Sequence, residues 1–117
     1  YEAALKNEVE WRGRLEGAGK MDVRQFVERG YSPYEKRFDM VTREEGSGFG
    51  ASHTMEYSFS SFAVSQFAKH LGKEDDYKLL SNLSNGWKNL YDPETRLIRP
   101  KDTKGNFLED FNPLAPW

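Results

Sequence analysis

Two apolar stripes separated by a single glycine constrain this chain more than any other feature. Met55, Phe59, Phe62, Ala63, Phe67 and Leu71 recur at i, i+4, i+7, i+8, i+12 and i+16, the spacing of one helix face. Gly72 follows, where helices commonly stop in a left-handed turn. Tyr77, Leu80, Leu83, Trp87 and Leu90 then form a second stripe, preceded by Glu74, Asp75 and Asp76, which suit a helix N-terminus. So short a link predicts an antiparallel helix pair, with the first stripe packed against the helix over 77–90.

The flanking segments are weaker signals. Leu5, Val9, Arg12 and Leu15 lie near one face of a helix expected over 2–15, ended by Gly17 and Gly19. A short helix is expected after Asp22 as cap, with Val23, Phe26 and Val27 inward and Gly30 as its stop. Phe38, Met40 and Thr42 alternate like a brief strand, and Gly46 to Gly50 read as a loop. Asp92-Pro93 should end the second main helix, because a residue before proline avoids helical geometry. Leu97-Ile98-Arg99 and Asn106-Phe107-Leu108 look like two short strands around the turn 101–105.

Composition excludes several function classes. With 17 basic and 19 acidic residues in 117, well mixed, the chain lacks the basic face that a nucleic-acid partner needs. No apolar run approaches a membrane span. Without cysteine there is neither a disulfide nor thiolate chemistry. The chain opens at Tyr1 and stops in the loop-like 112–117, and is read as one fragment, 1–117, of a larger domain.

Candidate chemistry is sparse. His53 and His70 are the only histidines, and their separation fits no zinc site, which needs three or four converging ligands. Asp102 to Asn106 is only superficially like a calcium loop: the glycine is not at position 6, and Pro113 stands at position 12 where glutamate is needed. Glu56 falls in the first turn of the main helix, where the helix dipole alone accounts for a carboxylate. Arg99 could meet a polar ligand or pair with Glu94 or Asp110. The adjacent Glu109 and Asp110 read as solvated. These residues by themselves give no mechanism.

A longer pattern is more telling. "HTMEYSFSSFAVSQFAKHLGKEDDY" followed by "NGWKNLYDPETRLIRPKDTKGNF" resembles the helical domain of glycoside hydrolase family 92, the calcium-dependent α-mannosidases. Their pattern reads approximately T-L-E-Y-A-Y-D-D-W, A-K-x-L-G-K, Y-K-N-L-F-D-P-x-T-G-F-M-R-P-R and D-G-x-W. Thr54, Glu56, Tyr57, Gly72, Lys88, Asp92, Pro93, Thr95, Arg99, Pro100 and Gly105 are among the matches.

The resemblance implies a mainly α fold: helical hairpins forming a slice of an (α/α)6 toroid, with a short β-hairpin or loop excursion near 96–108. It implies an exo-acting, inverting α-mannosidase acting on mannose-containing glycans, in an exported parent (periplasmic, cell-surface or secreted). Calcium would be its cofactor, with ligands outside this fragment, and no metal ligand is assigned here. The catalytic acid and base are expected beyond Trp117, so no catalytic residue is assigned and the fragment alone is expected to be inactive. Glu56, Tyr57 and Arg99 are the candidates for lining or bracing the substrate pocket. Ser60, Ser61 and Phe62 stand where the family often has Asp-Asp-Trp, and Arg96 where it commonly has glycine. That departure leaves a non-catalytic carbohydrate-binding or protein-interaction module as the alternative. Uncovered apolar helix faces would make the isolated fragment self-associate.

Overall fold

A computed structural model describes residues 1–12, 19–36 and 46–117. It is mainly helical: α1 (Glu2–Val9), α2 (Val23–Arg29), α3 (Gly50–His70) and α4 (Glu74–Ser84), then a 3-10 helix (Gly86–Leu90) and a two-stranded sheet. Strands β1 (Tyr91–Asp92) and β2 (Leu97–Ile98) pair antiparallel, Tyr91 opposite Ile98 and Asp92 opposite Leu97. The expected strand at Phe38, Met40 and Thr42 lies outside the described residues, as does the expected helix beyond Arg12.

Several boundaries differ from the sequence reading for local reasons. Helix α1 ends at Val9, because Glu10 is extended (φ −103°, ψ 134°). The helix expected over 77–90 is split: α4 stops at Ser84, and the segment after Asn85 tightens into the 3-10 helix. Gly86 sits there because a β-carbon would collide with the Gly30 carbonyl and the Phe26 ring. Leu97-Ile98 is a strand, but it pairs with Tyr91-Asp92 rather than with 106–108. Phe107 makes only a single bridge, to Lys101.

Helices α3 and α4 pack as the expected antiparallel pair. Near the link the Lys73 amide bonds the Ala68 carbonyl, and at the far end the Trp87 amide donates to Ser58 Oγ. Gly72 makes the link possible in the left-handed conformation, φ 72°.

The face that α3 buries is not the one its apolar periodicity picks out. Phe59 is 71% exposed, Met55, Phe62, Phe67 and Leu71 are exposed, and so is Ala63. The buried residues are Gly50, Ala51, Thr54, Tyr57, Ser58, Ser61, Ser65 and Ala68. Small side chains let neighbouring backbones come close, and each hydroxyl finds a partner. Thr54 donates to the Gly50 carbonyl and accepts from the Ser32 amide, both at 2.8 Å. Ser58 donates to the Thr54 carbonyl (2.7 Å) and accepts from the Trp87 amide (3.1 Å). Ser61 donates to Glu8 Oε2 (3.0 Å), and Ser65 to the Phe62 carbonyl (2.6 Å). Apolar packing joins α3 to its neighbours: its Tyr57 clusters with Phe26 and Leu83, and its Ala51 with Tyr31 and Leu90.

The sheet turn is organised by Asp92. Its carboxylate accepts from the Glu94 amide (2.9 Å) and the Thr95 hydroxyl (3.0 Å), while its carbonyl accepts from the Arg96 amide (2.7 Å). Closing that turn puts Arg96 at φ 61°, the left-handed region that a side chain disfavours. Replacing Arg96 with glycine is expected to stabilise the fold by about 1 kcal/mol, read as a higher midpoint in urea denaturation with unchanged slope.

Candidate functional site

The first turn of α3 gathers more polar chemistry than any neighbouring segment. His53 Nδ1 lies 3.0 and 3.2 Å from the two carboxylate oxygens of Asp22, and 3.2 Å from Ser47 Oγ. Its ring stacks on Tyr57 (5.6 Å between centroids, 22° between planes) and approaches Phe49 (6.5 Å). Tyr57 is fixed in turn by donating its hydroxyl to the Met21 carbonyl at 2.7 Å and by edge contact with Phe26.

Asp22 shapes this arrangement at a backbone cost. It is 1% exposed and holds φ 46°, the left-handed region that aspartate tolerates better than most residues. Expected as the side-chain cap of α2, it makes no capping bond, because its carboxylate is turned to His53 instead. Since a carboxylate only accepts, the proton of a neutral His53 belongs on Nδ1, leaving Nε2 with a lone pair. Ser47 meets the same nitrogen as Asp22, so this is not the relay of a serine nucleophile, which needs serine on the opposite nitrogen.

One turn further along α3, Glu8 is 4% exposed and accepts from Ser60 (3.1 Å), Ser61 (3.0 Å) and Lys20. Lys20 Nζ also stands 4.9 Å above the centre of the Tyr57 ring. Ser60 and Ser61 therefore serve one buried carboxylate carried by α1. An aspartate at 61 would instead press a second negative charge against Glu8.

The three sequence candidates separate. Glu56 is exposed and has no hydrogen bond or ion pair among the described residues. Tyr57 is buried and braces His53. Arg99 pairs with Asp92 rather than Glu94 or Asp110: Nη1 lies 2.8 Å from Oδ2, and Nη2 donates to the Leu108 carbonyl. Phe107 and Phe111 flank its guanidinium, each ring centre 5.3 Å away. Glu109 and Asp110 are exposed, and Trp87, expected in the core, is 37% exposed. It borders a groove of about 480 Å³ with Met55, Phe59 and Phe62. Sequence reasoning missed Asp22, Ser47 and Phe49 as neighbours of His53. Spacing gave no signal for Asp22 or Ser47, whereas Phe49 stands four residues before His53.

Among the described residues no three or more His, Asp and Glu side chains converge. Asp102 Oδ1 is occupied by the amides of Lys104 and Asn106. The C-terminal segment, in contrast, returns to the site: the Trp117 carbonyl accepts from the Ser52 amide (2.7 Å) and hydroxyl (2.5 Å). A chain continuing past Trp117 would thus leave from the first turn of α3.

Comparison with known proteins agrees on the kind of fold. Residues 1–117 match the glycosyl hydrolase family 92 catalytic domain. The family GH92 α-mannosidase BT3965 of Bacteroides thetaiotaomicron is 30% identical, with a TM-score of 0.78 over 98% of this chain. A second structure of BT3965, in complex with mannoimidazole, matches equally. The family GH92 inverting mannosidase BT2199 of Bacteroides thetaiotaomicron VPI-5482 is 24% identical, with a TM-score of 0.76 over 95% of the chain. The chain spans only 13% of BT3965 and 14% of BT2199. No curated protein matches. The likeness is consistent with a slice of an α/α toroid, and no described helix is long and apolar enough to cross a membrane.

The Asp92–Arg99 pair gives this region a pH dependence. The Arg99 hydrogen bond holds the Asp92 carboxyl below its usual range; burial opposes this, while the Glu94 amide and Thr95 hydroxyl reinforce it. A carboxylate lowered in the folded state contributes stability above its unfolded pKa, about 3.9, and loses it as pH falls through the folded value. Melting curves from pH 7 to 2.5 should show Asp92→Asn less stable than wild type at neutral pH, with the two converging in acid. A constant gap throughout would contradict this.

Proposed function

Since the chain belongs to glycosyl hydrolase family 92, we propose that it is a piece of the catalytic domain of an exo-acting, inverting α-mannosidase that removes α-linked mannose from glycans. The observation that carries this reading is the match along all 117 residues, together with 30% identity to a solved α-mannosidase over 98% of the chain. An exported parent (periplasmic, cell-surface or secreted) is part of the same proposal.

Inversion requires one carboxylic acid to protonate the leaving oxygen and one carboxylate to activate water on the opposite face of the sugar. The buried carboxylates among the described residues are already engaged elsewhere. Glu8 is buried against Lys20 and two serines, Asp22 against His53, and Asp92 against Arg99. In this reading the acid, the base and the calcium belong to the parent beyond residues 1–117, and the isolated chain is inactive. What the chain supplies is a rigid wall: α3 presents its first turn toward substrate, braced by Tyr57, while Arg99 secures the turn after the helix pair. The uncovered Met55, Phe59 and Phe62 would pack on other helices of the parent and make the isolated chain self-associate.

The alternative, a non-catalytic helical module, is favoured by one observation. Ser60 and Ser61 are spent on Glu8, leaving no free carboxylate at those positions.

The full-length protein assayed on α-linked mannobiose, with and without a calcium chelator, separates the two. Chelator-sensitive release of mannose, first seen as the β-anomer by proton NMR, is the expected result. A folded, calcium-supplied protein that binds mannosides without cleaving them would instead identify a binding module.

A further inference from the structure

His53 and Glu56 stand three residues apart on one face of α3, and Phe49, the N-cap residue just before the helix, has its ring centre 6.5 Å from that of His53. Each offers something different. Phe49 is 52% exposed, an apolar ring at the helix start. Glu56 is an exposed carboxylate with no partner among the described residues. His53 is held by Asp22, Ser47 and Tyr57 from separate parts of the chain, all on its Nδ1 side or its ring face. Its Nε2 has no partner among the described residues, and the side chain keeps 16% of its surface exposed.

We infer that these residues form a hexopyranose subsite in which His53 is a positioning and specificity residue. Its Nε2 accepts a hydrogen bond from one ring hydroxyl, Glu56 takes a second, and Phe49 covers an apolar face of the sugar. The inference rests on the carbohydrate-hydrolase reading and deepens it by naming the residue that reads a particular hydroxyl. The chemistry favours a neutral polyol. An anionic ligand would face Glu56 and the buried Asp22, whereas hydroxyls donate readily to a carboxylate and to an imidazole lone pair. Fixing Nδ1 on a buried carboxylate holds the acceptor in place before the ligand arrives, which lowers the ordering cost of binding. The Trp117 carbonyl, bonded to Ser52, borders the same turn.

His53→Asn separates anchoring from recognition, because the asparagine amide can occupy the Nδ1 position against Asp22 while the Nε2 end is removed. In the full-length protein this variant should raise KM for an α-mannoside about tenfold, the scale of one lost hydrogen bond, with an unchanged melting temperature. The penalty should vanish for the one monodeoxy-mannoside that lacks the bonded hydroxyl. An unchanged KM, or the same loss with every monodeoxy analogue, overturns the subsite. Should His53→Asn not fold, Phe49→Ala carries the comparison: a raised KM supports the subsite and an unchanged one overturns it. If the wild-type protein cleaves no mannoside, the parent reading has failed separately. Calorimetric titration with D-mannose then decides the subsite, with His53-dependent binding supporting it and equal or absent binding overturning it.

Discussion

A row of hydroxyls along α3 holds this structure together. Thr54, Ser58 and Ser61 face inward at successive turns, and each joins α3 to a different part of the chain. Thr54 takes the amide of Ser32 after α2, Ser58 takes the amide of Trp87 in the 3-10 helix, and Ser61 reaches Glu8 on α1. Each hydroxyl left unpaired in such a setting would cost about 1–3 kcal/mol, so the row fixes register as well as proximity. Because the side chains are short, the neighbouring segments lie close, and the aromatic residues that fill the core, Phe26, Tyr31 and Tyr57, come from α2, the segment after it and the second turn of α3 rather than from its apolar stripe.

That division of faces explains why a slice of a larger domain is so polar and yet so rich in aromatics. The inner face of α3 is closed by hydrogen bonds within the chain, while on its outer face Met55, Phe59 and Phe62 stay exposed among the described residues and Phe67 meets only the edge of Tyr1. The same division bears on the site. Of the polar groups that the family resemblance pointed to, Tyr57 is turned inward as a brace and Arg99 is locked in a pair with Asp92, while Glu56 stays exposed. His53 and Glu56 keep accessible surface at the end of α3 to which the C-terminal segment returns.

Much of the fold was legible from local chemistry. Gly30 and Gly72 stop helices in left-handed conformations, at φ 83° and 72°. The turn after Asp92 forms where proline predicts it, and Arg96 adopts the left-handed backbone that a family glycine would adopt freely. The burial of α3 was not legible, because hydrophobic periodicity picks out the exposed stripe, whereas a row of serines reads as solvent-facing. Long-range polar partners were equally hidden. Nothing in sequence spacing joins Asp22 to His53 across 31 residues, or Glu8 to Ser61 across 53. Glu8 even looks like an ordinary charged position on a surface helix.

The hydroxyl row reverses the usual ranking of side chains, and denaturant melts of two variants of the 117-residue chain test that reversal. Ser58→Ala, which strips the Trp87 amide of its acceptor, should cost about 1–3 kcal/mol. Phe59→Ala, on the uncovered face, should stay within about 0.5 kcal/mol of wild type when both are melted at concentrations dilute enough to keep the chain monomeric. If Phe59→Ala instead cost the 3–5 kcal/mol typical of a buried aromatic while Ser58→Ala cost nothing, α3 would be packed the other way round and the account would fail.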